Sequence, residues 1–416
     1  MRGVKLLMLC VILLGGCNRN TVPESSPTGR QESPESTADA AETKRPQPRG
    51  QLGEEQLAAG WIQLFDGESL FGWTANSDAN WQVDDGVLEA DAGTAGLLLT
   101  NVEFVDYEFK CDFHLSKGGN SGVFLRTTGK PVDPSRDCYE LNICDSHATF
   151  PTASLVARQR GPDSLSVEEA WHTFDVRVEG LKIDVKLDGK PVLNFLDKSE
   201  TPRHSGYIGL QMNGGAVRFR NVLLRPLGTR AVFNGKDLSG WREVPGGKSR
   251  FEVVDGAIHV ENGPGFLESE EIWKNFVLQA QARTNGEELN SGVFFRAEAG
   301  TVEAPSNGYE LQIHNGIKNG DVRQPANGGT GAIFRRNTAR FVLSQDNQWC
   351  YLTLVAHQAR FSVWVNGLQV TDWLDERAEN DNPRRGLRMA GGHLSLQGHD
   401  PTTNLDFRDL RVGRLP

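Results

Sequence analysis

In Asn290-Ser-Gly-Val-Phe-Phe-Arg296 and Tyr309-Glu-Leu-Gln-Ile-His314, polar and apolar side chains alternate. Read as strands, whose successive side chains point to opposite faces, the first run puts Asn290, Gly292, Phe294 and Arg296 on one side. The second sets Glu310, Gln312 and His314 opposite an apolar row of Tyr309, Leu311 and Ile313. Leu396-Gln-Gly-His399 adds Gln397 and His399 to the polar side. The first half of the chain offers a matching set in Asn120, Arg126, Glu140, Asn142, Gln211 and Asn213. Planar amides, carboxylates and guanidinium groups make paired hydrogen bonds to a ligand rich in hydroxyls. Phe124, Phe294, Trp73 and Trp241 are candidate platforms for its C–H face. A carbohydrate is the expected partner. A polar sheet face also arises from simple contact with water. Asn-Ser-Gly-x-Phe-x-Arg and Tyr-Glu-Leu recurring intact in both halves weigh against that.

Asp145-x-His147 offers a metal ligand or a base, or else a surface loop. Arg335 and Arg336 either border the same groove or lie in solvent. No Gly-x-Ser-x-Gly elbow, His-Glu-x-x-His pair or phosphate-binding loop is present.

The elements that must carry these residues are duplicated. Phe65-Asp-Gly-Glu-Ser-Leu-Phe-Gly-Trp73 matches Phe233-Asn-Gly-Lys-Asp-Leu-Ser-Gly-Trp241, and Trp81 to Leu88 matches Phe251 to Ile258. Phe219-Arg-Asn-Val matches Phe407-Arg-Asp-Leu, and the order of motifs is kept throughout. A repeat this long is a duplicated domain. Phe174-Asp-Val-Arg-Val-Glu and Lys182-Ile-Asp-Val-Lys-Leu have period two, and Asp188-Gly189 and Asn366-Gly367 are hairpin turns between such runs. Glu54 to Ala59 and the region near Asp375 hold short turns at most. The expectation is an all-β chain of two tandem sandwiches or jelly rolls, at 58–228 and 229–416.

With 416 residues, two domains are expected, and a net charge of −10 supplies no footprint for nucleic acid. Residues 18–57 are poor in large apolar side chains and read as a disordered tether. Before them, a basic start, an apolar run from Leu6 to Leu14 and Leu14-Gly-Gly-Cys17 read as an export signal over 1–17. The run is too short to span a membrane. Four cysteines lie beyond the leader region: Cys111, Cys138, Cys144 and Cys350. Cys138 and Cys144 are too far apart along one strand to bridge, while a pair involving Cys111 stays open.

Leu14-Gly-Gly-Cys17 resembles the lipobox of bacterial lipoproteins. That resemblance implies cleavage before Cys17 and its lipidation, with the lipid the only tie to a membrane. Asn18 at the next position points to the outer membrane. The two halves resemble the 3-keto-disaccharide hydrolase domain. The motifs that carry this are Phe-Asp-Gly-x-x-Leu-x-Gly-Trp, Asn-Ser-Gly-Val-Phe-x-Arg, Tyr-Glu-Leu-Gln-Ile, Thr330-Gly-Ala-Ile-Phe334 and the final Leu-Gln-x-His. The resemblance implies a concanavalin A-like jelly-roll sandwich in each half. It also implies cleavage of glycosides already oxidised at the third carbon of the sugar.

A ketone there acidifies the proton on the second carbon. A base removes it, the enolate expels the group on the first carbon, and water then adds. Such a site needs a base near neutral pKa and an electrophile for the enolate oxygen. His399 or Glu310 are the candidate bases and Arg296 the candidate electrophile. Alternatively Glu310, His314 and His399 hold one divalent metal ion. Asn290, Gln312, Gln397, Asn120, Arg126, Glu140, Asn142 and Gln211 are expected to bind substrate.

Each half departs from the family pattern. Leu210-Gln-Met-Asn213 lacks the His, Thr152-Ala-Ser-Leu-Val156 replaces Thr-Gly-Ala-Ile-Phe, and His314-Asn315 stands where Leu-Asp is frequent. The alternative to catalysis is therefore a non-catalytic glycan-binding surface protein.

Overall fold

The computed structural model describes residues 51–416. The leader, Cys17 and the tether through residue 50 lie outside the described residues. The chain folds as two all-β sandwiches with the same plan. In the first, a five-stranded antiparallel sheet runs Trp73–Ala75, Gly96–Thr100, Tyr207–Gly214, Asn120–Thr127, Tyr139–Ile143. It packs on an eight-stranded sheet centred on Trp171–Glu179, Tyr107–Leu115 and Val217–Pro226. The second repeats the order with Trp241–Glu243, Gly265–Trp273, Gly392–Gly398, Ser291–Ala297 and Tyr309–Ile313 against a sheet centred on Cys350–His357, Phe276–Thr284 and Asn404–Arg414. It adds a small hairpin, Ile317–Lys318 with Asp321–Pro325.

Alternation builds the cores. In Tyr107–Leu115, Tyr107, Phe109, Cys111, Phe113 and Leu115 point inward, while Glu108, Lys110, Asp112 and His114 face out. The hairpins close at Asp188-Gly189 and Asn366-Gly367, all four residues having positive φ, as the tightest hairpin turn requires. Trp73 and Trp241 are core residues. Their indole N–H groups donate to Leu64 O and Val232 O, so neither is a sugar platform. Cys111, Cys138, Cys144 and Cys350 are all buried free thiols, which closes the disulfide left open for Cys111.

Part of the expected tether is built into the fold. Glu54–Ala58 is a helix, and Leu52 and Leu57 lie over Gly367, where an added Cβ would meet them at 2.7 and 3.0 Å. The sandwiches are joined by buried contacts. Trp364, 1% exposed, donates to Gln63 O at 2.8 Å and packs into the core of the first domain. Gln63 N donates to Gly367 O, Gln279 donates to Gly60 O, and Arg340 pairs with Asp66 at 3.0 Å.

Candidate functional site

The outer face of the five-stranded sheet in the second domain gathers most of the expected residues. Pairing sets Gly292 opposite Gln312 and Phe294 opposite Glu310, with Gln397 and His399 following on the next strand over. Gly292 leaves the floor bare. A Cβ there would come within 2.9 Å of Glu310 Cγ and 3.0 Å of its Oε1, so the glycine lets the carboxylate lie across the strand. Burial pushes the Glu310 carboxyl up to about 7, with Arg384 and Arg335 pulling the other way. These three residues line one cavity of about 220 Å³ with Phe334, Arg336 and Pro383. The Arg384 guanidinium also lies over the Phe294 ring, 5.6 Å from its centroid.

A hydrogen-bonded relay runs beside this cavity. Gln312 Nε2 donates to Asn290 Oδ1 at 3.1 Å and to Asn327 O at 3.3 Å. That turns Asn290 Nδ2 toward His399 Nε2, 3.0 Å away, and His399 Nδ1 meets Asp400 Oδ2 at 2.7 Å. With the Asn290 amide donating, His399 Nε2 is the accepting nitrogen and Nδ1 donates to Asp400. The Thr402 hydroxyl, and then His399, hold Asp400 below the usual carboxylate range. His399 is thus oriented as a base by a carboxylate partner. Buried oxygens Gln312 Oε1, Gln397 Oε1 and Ser395 Oγ have no hydrogen-bond partner. An unmet buried acceptor or hydroxyl costs about 1–3 kcal/mol, which the hydroxyls of a ligand would recover.

Three expectations are corrected. Arg296 is not on this face. The ladder slips between Phe294 and Ala297, and Arg296 has φ +48°. This bulge inserts one residue and reverses the alternation, which swings the side chain into the interior. Arg296 is 0% exposed and donates to Lys274 O, Gln358 O, Arg388 O and Asn275 Oδ1. Arg126 repeats the device with φ +48°, bonding Val105 O, Gly180 O, Arg203 O and Asp106. Both arginines staple loops and neither can bind substrate.

The aromatic platforms also fail. Phe294 is fully buried, edge-on to Phe266, and Phe124 lies in a cluster with Leu97, Leu99 and Cys138.

The metal set does not assemble. Among the described residues no three His, Cys, Asp or Glu side chains group to hold an ion. Both His399 nitrogens are engaged. His314 Nδ1 accepts from Gly316 N, and burial lowers the pKa of that ring. Asp145 and His147 are turn residues. Asp145 accepts from Thr152, Val167 and Glu168, and His147 Nδ1 accepts from Thr149 and Phe150.

The first domain keeps half of the arrangement. Glu140 lies beside bare Gly122, with Gln211 Nε2 3.5 Å from its Oε1, and burial raises its carboxyl to about 7. Gln211 Oε1 is buried without a partner. Asn142 turns away and donates to Phe150 O, while Asn120 is half-buried and Asn213 exposed. No His–Asp relay forms here, because Asn213 stands where His399 does.

Asp400 and Arg384 escaped the reading of the sequence. Asp400 follows His399 directly, and that dipeptide was the available signal. Arg384 comes from a loop far along the chain and had none.

Both halves match one family, the 3-keto-alpha-glucoside-1,2-lyase-like domain, over residues 60–225 and 228–413. The chain belongs to that family. It is 33% identical over 230 residues to the 3-keto-disaccharide hydrolase of Bacteroides thetaiotaomicron, a match covering 41% of this chain and 79% of that protein. Among solved structures, one from Parabacteroides distasonis, named as a candidate glycosyl hydrolase, is 21% identical. It covers 42% of this chain and 98% of that chain, with a TM-score of 0.39. A carbohydrate binding module from Bacillus subtilis is 15% identical, covering 37% and 95%, with a TM-score of 0.31. The family is carbohydrate-active, which is consistent with glycan binding at the unmet acceptors on the floor of the face.

Proposed function

We propose that the second domain cleaves 3-keto-glycosides by elimination followed by hydration. The observation that carries this is Glu310, a buried carboxyl raised to about 7 over a bare glycine floor and flanked by Arg384 and Arg335. Glu310 takes the proton from the second carbon of the sugar. The electron pair forms the enolate, whose oxygen faces Arg384, the residue that replaces Arg296 in this role. As the ketone re-forms, the bond from the first carbon to the leaving oxygen breaks, and that oxygen departs with the proton held by Glu310. A water that displaces the Asn290 amide from His399 Nε2 gives up a proton to that nitrogen, the ring being oriented by Asp400, and adds to the first carbon while a solvent proton is delivered to the second. No step is routed through a metal ion. The first domain, with Asn213 in place of His399, binds sugar without cleaving it.

The test is free-sugar release from 3-keto-trehalose by the chain from residue 51 onward. Release is expected from the parent protein and a drop of about 10²-fold or more in His399→Ala. Retained glycan binding with no release from any keto-glycoside would leave the non-catalytic lectin reading in its place.

We further infer that the chain is exported and anchored in the outer membrane through a lipid on Cys17. The basic start, the short apolar run and Leu14-Gly-Gly-Cys17 support this. Metabolic labelling with a palmitate analogue should mark the full chain and not Cys17→Ser. Equal labelling of both would refute it.

A further inference from the structure

Phe334, Arg335 and Arg336 form a ridge with the Glu310 cavity on one side. On the other is a second cavity of about 500 Å³, lined also by Asn327, Gly328, Asn337 and Thr338. Among the described residues, Glu310 is the one carboxylate in either lining, set against Arg335, Arg336 and Arg384. None of these three arginines forms an ion pair with a carboxylate among the described residues; their partners are neutral. Arg335 lies over the Phe334 ring, 5.2 Å from its centroid. Arg336 donates to Arg335 O at 3.3 Å and to Arg384 O at 2.6 Å, and Arg384 donates to Ser306 Oγ at 3.2 Å. Asp375 acts on Arg336 from further off, but Arg377 already holds it through two bonds, at 2.7 and 2.8 Å.

The first domain shows the same positions without this charge. Its bridges Leu141 to Leu155 and Leu155 to Gln159 recur as Leu311 to Ile333 and Ile333 to Asn337, so Ala157 corresponds to Arg335 and Arg158 to Arg336. The backbone is alike, with φ +61° at Ala157 and +60° at Arg335. Arg158 is turned inward onto Asp197, 3.1 Å away, and Asp197 also accepts the Tyr139 hydroxyl at 2.6 Å. In the second domain Asp375 accepts the Tyr309 hydroxyl in the same manner, but its arginine is Arg377, where the first domain has Ser199. Arg377 thereby releases Arg336 to the ridge. Arg384 comes from a loop that is longer here, between Asp375 and Arg388, than its counterpart between Asp197 and Arg203. The sandwich is therefore built equally well without these three free cations, and the fold does not account for them.

The enolate carries one negative charge, which Arg384 meets. Arg335 and Arg336 remain, between the reacting cavity and its neighbour. A guanidinium with no carboxylate partner is suited to a bidentate bond with an oxyanion. We propose that the leaving group of the keto-glycoside is itself anionic, carrying a carboxylate or a phosphate, and that Arg335 and Arg336 hold it in the second cavity. The inference rests on the elimination reading for which part of the substrate lies there, and on the ridge for its charge.

The test is calorimetric titration of the chain from residue 51 with the unoxidised glucosides of 4-hydroxyphenylacetate, of its methyl ester and of 4-hydroxybenzyl phosphate, beside cleavage of the three corresponding 3-keto-glucosides. At least one anionic glucoside should bind about tenfold or more tightly than the ester, less so as salt rises, with a similar ratio of kcat/KM for the keto forms. The tighter of the two tells carboxylate from phosphate. The double variant Arg335→Ala, Arg336→Gln should bring both ratios to about one, whatever becomes of the ester's own values. Arg335→Ala alone, at an exposed position where the first domain already carries Ala, should lower both ratios with the melting temperature unchanged. No preference for either anion, or a preference kept in both variants, would overturn the proposal. Free 4-hydroxyphenylacetate or inorganic phosphate binding as tightly as the matching glucoside would reduce the ridge to a simple anion patch and also overturn it. A preference in binding with no cleavage of any keto-glucoside would instead sink the elimination reading and leave the anion site standing.

Discussion

Replacing Glu310 by Gln lowers sugar release from a 3-keto-glycoside by a factor of about 10²–10⁴, the range for loss of a positioned base. The substitution keeps the shape of the side chain and removes only the proton acceptor. In the parent protein, kcat/KM should rise about tenfold per pH unit below about 7 and level off above it, because burial raises the Glu310 carboxyl to about 7 and only the carboxylate can act. The same burial fixes the sign of the stability effect. The carboxyl has a higher pKa folded than unfolded, so its contribution is intact below the unfolded value and is lost as pH rises through about 7. Near pH 4 the parent and Glu310→Gln should melt together. Near pH 8 the variant should be the more stable, by on the order of 3 kcal/mol. Urea denaturation at the two pH values measures this. Equal stability at both, with activity retained, would remove Glu310 from the role.

Replacing Arg296 by Met should act on the fold instead. Its guanidinium makes four hydrogen bonds, to Lys274, Gln358, Arg388 and Asn275, and is 0% exposed. Met fills comparable volume but leaves the Lys274, Gln358 and Arg388 carbonyls unmet, while Asn275 Oδ1 keeps its bond from Gln358 N, a loss of about 3–5 kcal/mol. Arg126→Met should cost a similar amount in the first domain, since Arg126 makes the same kind of contacts. The denaturation midpoint in urea reads both. An Arg296→Met protein of unchanged midpoint that has lost cleavage would mean that Arg296 serves the reaction and not the loops.

The contrast between Glu310 and Arg296 shows how far the sequence is legible. The repeated motifs and the alternation in runs such as Tyr107–Leu115 made the two sandwiches readable, because a period of two is a direct consequence of strand geometry. The same parity placed Asn290, Glu310, Gln312, Gln397 and His399 on one face. It failed one residue beyond Phe294, where the bulge at Arg296 reverses the count, and nothing in the local residue types announces that slip. Trp73 and Trp241 were misread because an indole suits a core as well as a sugar, and only the bond to Leu64 O or Val232 O separates the two. Residues from distant segments, such as Arg384 and Glu310 at the cavity, meet only through the tertiary fold.

The central claim is that Glu310 removes the proton from the second carbon of a 3-keto-glycoside. The most direct measurement is deuterium at that carbon in the keto-sugar released in D₂O, set against uncatalysed exchange. The proton taken by Glu310 leaves on the departing oxygen, so the hydron returned on hydration comes from solvent; the parent protein should release sugar carrying one deuterium at the second carbon, and Glu310→Gln should neither release sugar nor exchange. Release of sugar with that carbon unlabelled would mean direct displacement at the first carbon and would contradict the account.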